Sequence, residues 1–286
     1  MMKVQNLDDG DARAIYKNLG YDLRDYRKIV MDVHAEAIPG SALAAGDLTL
    51  FVRMGSDYQN NYYEYEIPLS LTAPGYYPNN DAGRLAVWPD ADRMDLDLSK
   101  LPSAKIIRDD AMNRAGSMIT YSTIYKVLDG TRTIKVVGNP SLSDVKVIMI
   151  GVRNPGKNGS SQDDGSPKSG IVWVNELRLT NFDESSGWAA NARTQIKLAD
   201  LGSVSVAGSI ITPGFGTLES TVNDRSKEEV YKYDIASNIE LGKFFPDKAG
   251  VKIPMFVSYS ETYKNPKYDP LDPDIILRAE VRVIDY

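Results

Sequence analysis

The single histidine of this 286-residue chain, His34, sits between Asp32 and Glu36. Alternate residues of a strand point to the same side, so an Asp-His-Glu trio at this spacing shares a face. Such a trio could act as a general base or ligate a metal. Its competing reading is a solvated strand face, and one histidine with no cysteine leaves little for a zinc site. Asp95 and Asp97 also stand two apart, and a glycosidase needs two carboxyls roughly 5 to 9.5 Å apart across a cleft. No cleft is indicated around them, and the solvated face is again the favoured reading. Asp269, Asp272 and Asp274 offer hard oxygens of the kind calcium takes, but Pro270 and Pro273 fit a rigid loop equally well. Gly214-Phe215-Gly216 lacks the spacing and the strand-to-helix setting of a phosphate loop. Asn158-Gly159-Ser160 spells a glycosylation acceptor and otherwise reads as a turn. No residue is assigned a catalytic, cofactor-binding or metal-binding role, and the chain is expected not to be an enzyme and to need no cofactor.

Tyrosine is a different matter. Tyr58, Tyr62, Tyr63, Tyr65, Tyr76 and Tyr77 cluster around Asn60-Asn61. Exposed rings of this kind stack on sugars, which keeps a secreted carbohydrate-binding β-sandwich module as the alternative function. The competing reading places half of them on the core face of one strand.

The elements that carry these residues read as strands. In 28–36, Ile29, Met31, Val33 and Ala35 oppose Asp32, His34 and Glu36. Leu48, Leu50 and Val52 alternate with Thr49 and Arg53. Tyr63, Tyr65, Ile67 and Leu69 alternate with Glu64 and Glu66, and Leu96 and Leu98 with Asp95 and Asp97. Residues 145–152 are almost continuously apolar, as in a strand covered on both faces, and 171–179 are mostly apolar. Pro39-Gly40, Pro74-Gly75, Pro78-Asn79-Asn80 and Gly138-Asn139-Pro140 punctuate the runs. A short helix is expected over 11–19, in a lead-in of residues 1–20. Residues 21–183 are expected to form an antiparallel, jelly-roll-like β-sandwich, with a polar loop at 154–170.

Beyond Gly187 the alternation lengthens. Ala192, Thr194, Ile196 and Leu198 oppose Asn191, Arg193, Gln195 and Lys197. Val204, Val206 and Ile210 oppose Ser203, Ser205 and Ser209. Tyr231, Tyr233, Ile235, Ile239 and Leu241 oppose Lys232, Asp234, Asn238 and Glu240. Val251, Ile253, Met255, Val257 and Tyr259 oppose Lys252, Ser258 and Ser260, with Phe256 as the exception. Each run approaches the ~9–11 residues of a tilted membrane strand, and one apolar face against one polar face suits a barrel with a wet lumen. A second soluble sandwich gives the same pattern. Trp188, Tyr231, Tyr233, Tyr259 and Tyr263 near one set of strand ends, and Phe244-Phe245 near the other, tip the balance towards a barrel with two aromatic girdles. Residues 187–262 are therefore expected to be long antiparallel amphipathic strands of an outer-membrane β-barrel, and 263–286 a loop and an atypical tail. Short connections at 200–202 and 244–250 and a long one at 213–228 would put the start of the first strand, and the sandwich before it, outside the cell.

The bulk numbers agree with an all-β envelope protein. A formal charge of -6 argues against nucleic acid as a partner, and zero cysteines exclude thiolate chemistry and disulfides. The start, Met1-Met2-Lys3-Val4-Gln5-Asn6, shows no apolar leader, so the chain is expected to be an internal piece of a longer one.

Five stretches are more specific than periodicity. They are Asp22-Leu23-Arg24-Asp25-Tyr26-Arg27-Lys28 leading to His34-Ala35-Glu36; Val172-Trp173-Val174-Asn175-Glu176-Leu177-Arg178-Leu179-Thr180-Asn181-Phe182-Asp183; Gly187-Trp188-Ala189-Ala190-Asn191-Ala192; Glu240-Leu241-Gly242-Lys243-Phe244-Phe245-Pro246; and Asn265-Pro266-Lys267-Tyr268-Asp269-Pro270-Leu271-Asp272-Pro273-Asp274. In this order, over about residues 18–275, the chain resembles the SprA family (also called Sov), the gliding-motility and cell-surface proteins of Bacteroidota. The tail at 277–286 departs from the pattern. The resemblance implies a place at the cell outer membrane and surface, as a structural part of the protein-translocation pore, or translocon, of the type IX secretion system. It also implies four partners: secreted cargo proteins, other secretion-system components, outer-membrane lipid and the remainder of a larger chain. A few strands alone would leave open edges in lipid, so the piece by itself is expected not to form a pore.

Overall fold

The structure, a computed structural model, describes residues 1–157, 164–221 and 224–277. The expected glycosylation spelling at 158–160 and most of the tail lie outside the described residues. The chain divides into two compact units, Met1–Asp183 and the part from Glu184 onward.

The first unit holds ten strands: β1 (Met2–Leu7), β2 (Ala12–Tyr21), β3 (Tyr26–Ala37), β4 (Thr49–Gly55), β5 (Tyr62–Pro68), β6 (Met94–Asp97), β7 (Tyr125–Asp129), β8 (Arg132–Val137), β9 (Val145–Arg153) and β10 (Lys168–Phe182). They form two antiparallel sheets, ordered β1-β10-β3-β6 and β2-β9-β4-β5-β8-β7. Period-two alternation sends Ile29, Met31, Val33 and Ala35 of β3 into the same buried cluster as Leu50, Val52 and Met54 of β4, Tyr63, Tyr65 and Ile67 of β5, and Ile134 and Val136 of β8. One core thus joins both sheets.

Two differences from the sequence expectations have clear causes. Residues 11–19 are not a helix and not part of a lead-in. They lie in β2, whose partner is β9, with Ile15 opposite Ile150 and Tyr16 opposite Met149. Pairing along the edge of a large sheet satisfies the backbone better than an isolated helical turn, which costs more to nucleate than it returns. Two helices instead occupy crossings between strands, α1 (Asp81–Val87) and α2 (Lys100–Met112). In α2, Leu101, Ala104, Lys105 and Arg108 recur at three- and four-residue spacing and are buried. Pro102 is tolerated because it stands in the first turn.

The alternation of β5 carried a second surprise. Glu64 and Glu66 face away from the core, yet Glu64 is 0% exposed and Glu66 only 8%. Cross-strand pairing puts Arg53 and Lys135 opposite Glu64, and Arg153 opposite Thr49. Glu64 takes Arg53 at 2.7 Å, Arg153 at 2.8 Å and Lys135 at 2.9 Å, and Glu66 takes Arg153 at 2.8 Å as well as Lys135. Aromatic rings roof the group: Arg53 lies 3.8 Å from the Tyr62 centroid and Arg153 4.4 Å from that of Phe51. Gly151 makes this roof fit, since a Cβ there would come within 2.3 Å of the Phe51 ring. Burial alone would push the Glu64 carboxyl up, but Arg153, Lys135 and Arg53 outweigh it and hold it at about 2. Glu66 is lowered from its ordinary value by the same balance.

The second unit is one antiparallel sheet of β11 (Ala189–Lys197), β12 (Gly202–Ile211), β13 (Glu228–Glu240) and β14 (Pro254–Pro266), in that order. It is an open sheet and does not close into a barrel among the described residues. The connection expected to be short at 244–250 is longer, running over 241–253 with two 3-10 turns. Val251 and Ile253 precede the strand because the Ile253 N–H donates to the Glu240 side chain rather than joining the ladder, and Pro254 has no N–H to offer. At the opposite end, the loop after β12 folds back on the start of the unit: Gly214 donates to Ser226 O at 2.7 Å, and a Cβ on Gly187 would sit 1.9 Å from Phe215 N.

Two outcomes follow for the full chain. Because the folded Glu64 carboxyl lies below its ordinary 4.5, its stabilising contribution is complete above that pH and lost as pH falls towards about 2. Urea unfolding should therefore show falling stability over that window. Glu64→Gln should cost roughly 3–5 kcal/mol at neutral pH and flatten the dependence, since it strands buried cations. An unchanged urea midpoint would contradict the cluster. Gly187→Ala should dislodge the 212–227 loop, read as faster proteolytic nicking there with strand content kept; an unchanged cleavage pattern would contradict the close approach.

Candidate functional site

Register decides which side chains of the second unit act together. Thr194, Val206, Ile235 and Tyr259 lie in one cross-strand row, and Ile196, Val204, Ser237 and Val257 in the next. Directly opposed residues share a face, so most of the apolar set falls on one side: Ala190, Ala192, Thr194 and Ile196; Val204, Val206 and Ile210; Tyr231, Tyr233, Ile235 and Ile239; Met255, Val257, Tyr259 and Tyr263. The other side carries Asn191, Arg193, Gln195 and Lys197, then Ser203, Ser205 and Ser209, then Lys232, Asp234, Asn238 and Glu240, then Ser258, Ser260 and Thr262. Phe256, 63% exposed, interrupts that polar side, and so does the Ile211–Val230 pair at the Trp188 end of the sheet.

The apolar side is uncovered within the described structure. Ile196, Ile235, Val257, Tyr259 and Tyr263 are all exposed. A contiguous exposed face of this kind, made of long β-branched and aromatic rows, marks contact with a membrane or a partner. Its two ends differ in composition. Trp188, tied to Thr212 through N–H to Oγ1 at 2.7 Å, stands at the same end as Tyr231, Tyr233 and Tyr263, while Tyr259 lies in the middle row with Ile235 and Val206. Phe244 and Phe245 stand exposed at the other, in the β13–β14 connection. From residue 255 to residue 263, β14 advances about 27 Å at ~3.4 Å per residue. A tilt near 40° reduces that to about 21 Å, close to the ~25 Å apolar band of outer-membrane barrels. No helix among the described residues is long and apolar enough to cross a membrane, so any crossing would be by strands.

Two carboxylates interrupt the apolar side: Glu229, next to the start of β13, accepts from the Tyr231 hydroxyl at 2.6 Å, and Glu261 lies further in. Glu261, opposite Tyr233, accepts hydrogen bonds from the hydroxyls of Tyr233 and Tyr259, the latter at 2.7 Å, and Tyr263 follows it on the same face of β14. Period-two reading passed over this group, because Glu261 breaks the alternation that makes the strand visible.

The residues singled out for chemistry come to rest in structural roles. His34 is buried at 8% exposure, with Nδ1 2.7 Å from the Val87 carbonyl and its ring 5.7 Å from that of Trp88. Its Nε2 lies 3.7 Å from Glu36, while Asp32 pairs with Arg93 at 3.5 Å. The trio therefore does not converge. Nearby Asp92 accepts from Ser70, and burial raises its carboxyl above the ordinary value. Asp95 and Asp97 are paired separately, with Lys28 at 2.9 Å and Arg27 at 3.4 Å. Asp269 and Asp272 accept the N–H groups of Leu271 and Asp274, as turn-forming aspartates do. Among the described residues no group of His, Asp and Glu is arranged to hold a metal ion. Gly214-Phe215-Gly216 lies in the loop against Gly187.

The tyrosine cluster does not form one platform. Tyr63 and Tyr65 are core residues, and Tyr62 lies under Arg53. The Tyr77 hydroxyl donates to the Ala73 carbonyl, and Tyr58 packs 5.1 Å from Tyr16. Tyr76 alone of the six is fully exposed, at 92%.

A search of curated proteins finds no match to this chain. A family model does match, SprA_N, described as motility related/secretion protein, and it spans residues 1–281. With nearly the whole length covered, the chain belongs to the SprA N-terminal family of motility-related and secretion proteins, which is not a family of enzymes.

Proposed function

We propose that this chain contributes a jelly-roll unit and four strands of barrel wall to an outer-membrane protein-translocation pore, the translocon of type IX secretion and gliding motility. The observation that carries the reading is the exposed apolar side of the β11–β14 sheet, bounded by Trp188 and tyrosines at one end and phenylalanines at the other. Lipid covers that side in this reading. The polar side, with Arg193, Lys197, Lys232, Asp234 and Glu240 among serine and amide groups, lines the lumen through which secreted cargo passes. β11 and β14 are edge strands, and edges are not tolerated in lipid, so strands from the rest of a larger chain complete the wall. Other secretion-system components are the remaining partners, and the site of action is the cell outer membrane and surface.

The jelly-roll assignment is supported by strand order. With the β7–β8 hairpin set aside, the four-strand sets β1-β10-β3-β6 and β2-β9-β4-β5 wind through the chain in the double Greek-key manner.

The test is face-specific. In the intact protein, Val206→Lys should block barrel assembly and secretion, since a lysine facing the bilayer midplane costs roughly 2–4 kcal/mol. Ser205→Lys, one residue away on the polar side, should assemble normally. Normal membrane insertion and secretion with Val206→Lys would overturn the proposal.

A further inference from the structure

On the lipid-facing side proposed above, Glu261 is a carboxylate with no cationic partner. The Tyr233 and Tyr259 hydroxyls donate to it, but among the described residues no lysine or arginine pairs with it. Hydrogen bonds from neutral donors leave its charge uncompensated, and an unpaired charge against lipid is costly enough to demand a partner. A carboxylate offers about four lone-pair positions, so two phenols leave room for a further donor. The surrounding rings are suited to a cation. Tyr233 stands 6.3 Å from Tyr259 and 6.1 Å from Tyr263, the planes tilted by 35° and 34°. An ammonium beside this row would lie within the ~6 Å of a ring centroid over which cation–π attraction acts.

The neighbouring positions in the same row supply space. Across from Tyr233 is Gly208, and beyond it Ala192. A Cβ built on Gly208 meets only the Lys232 carbonyl, at 3.8 Å, so a notch of small residues runs from the tyrosine row across β12 to β11. The notch and the carboxylate lie one row in from the Tyr231–Tyr263 row, on the tyrosine side of the Val206 row.

We propose that Glu261, Tyr233, Tyr259 and Tyr263 form a site for the ammonium of an ethanolamine-bearing lipid, with Gly208 and Ala192 accommodating the adjoining part of the molecule. The inference rests on the lipid-facing reading of this side. The ethanolamine can belong to phosphatidylethanolamine or to a phosphoethanolamine group on lipopolysaccharide, and the mass of the retained lipid tells the two apart.

The experiment uses the intact protein extracted from outer membranes, with retained lipids weighed by native mass spectrometry. A second arm reconstitutes it in nanodiscs of phosphatidylethanolamine or phosphatidylglycerol. The wild type should retain an ethanolamine lipid. Glu261→Gln should lower that retention about tenfold or more, the worth of a lost charge-assisted hydrogen bond, and Tyr233→Phe should lower it less. Membrane insertion is scored for every variant, so failure of the barrel reading, seen as lost insertion of the wild type, differs from failure of the site. Equal retention by wild type and Glu261→Gln would overturn the site. So would equal retention of phosphatidylglycerol, or a wild type that carries no ethanolamine lipid because a lysine or arginine of a flanking strand pairs with Glu261.

Discussion

The register of β11 to β14 is the constraint on which the functional reading depends. Side chains in a strand alternate with a period of two, so a one-residue slip in any of the three pairings would turn a whole strand inside out. The observed pairing places Thr194, Val206, Ile235 and Tyr259 in one row and sorts most rows by polarity. Short serine and alanine side chains on the polar side do little to hold this register; the long apolar rows do. A sheet sorted this way, with its apolar side exposed, is unstable in water and suited to a bilayer. The same sorting explains why Glu261 stands out: it is a charge set inside the apolar rows, and the Tyr233 and Tyr259 hydroxyls donate to it.

The first unit meets its constraints differently. Its two sheets bury one face each in a shared core, and the outer face of β5 is closed by ions rather than by hydrocarbon. Glu64 and Glu66 face three cations, Arg53, Lys135 and Arg153, beneath Phe51 and Tyr62. Desolvation opposes this arrangement and the multiple pairings offset it, leaving a group whose integrity requires every member. No such device occurs on the polar side of the second unit, where the charges are spaced among hydroxyls as a water-filled lumen requires. Two units of similar strand content thus handle their outer faces in opposite ways.

Much of this was legible from residue patterns. The alternation of 28–36, 47–54 and 63–69 marked strands that the core confirms, and the long runs after Gly187 put most of their apolar residues on one side, while Leu198, Leu241, Val251 and Ile253 fall outside the strands. The five motif stretches pointed to the family that the whole-length match establishes. What alternation cannot carry is the identity of whatever covers the second face. The burial of Glu64 and Glu66 was not legible because their cations come from three other strands, β4, β8 and β9. Residues 11–19 read as a helix because local propensity knows nothing of β9, and α2 escaped notice because two of its four buried positions are Lys105 and Arg108, charged residues that blur the apolar stripe. Glu261 was invisible for the related reason that a charge on an apolar row looks like noise until its tyrosines are placed around it.

The central claim is that one side of this sheet touches lipid and the other water. The 286 residues contain no cysteine, so single cysteines introduced along β13 can carry a spin label in the membrane-embedded intact protein without interference from this region. Accessibility to oxygen, which partitions into lipid, and to a water-soluble nickel complex would be measured position by position. The account predicts strict alternation: oxygen contact at 231, 233, 235, 237 and 239, nickel contact at 230, 232, 234, 236 and 238. Uniform nickel accessibility at both sets, as on a sheet standing free in water, would contradict it.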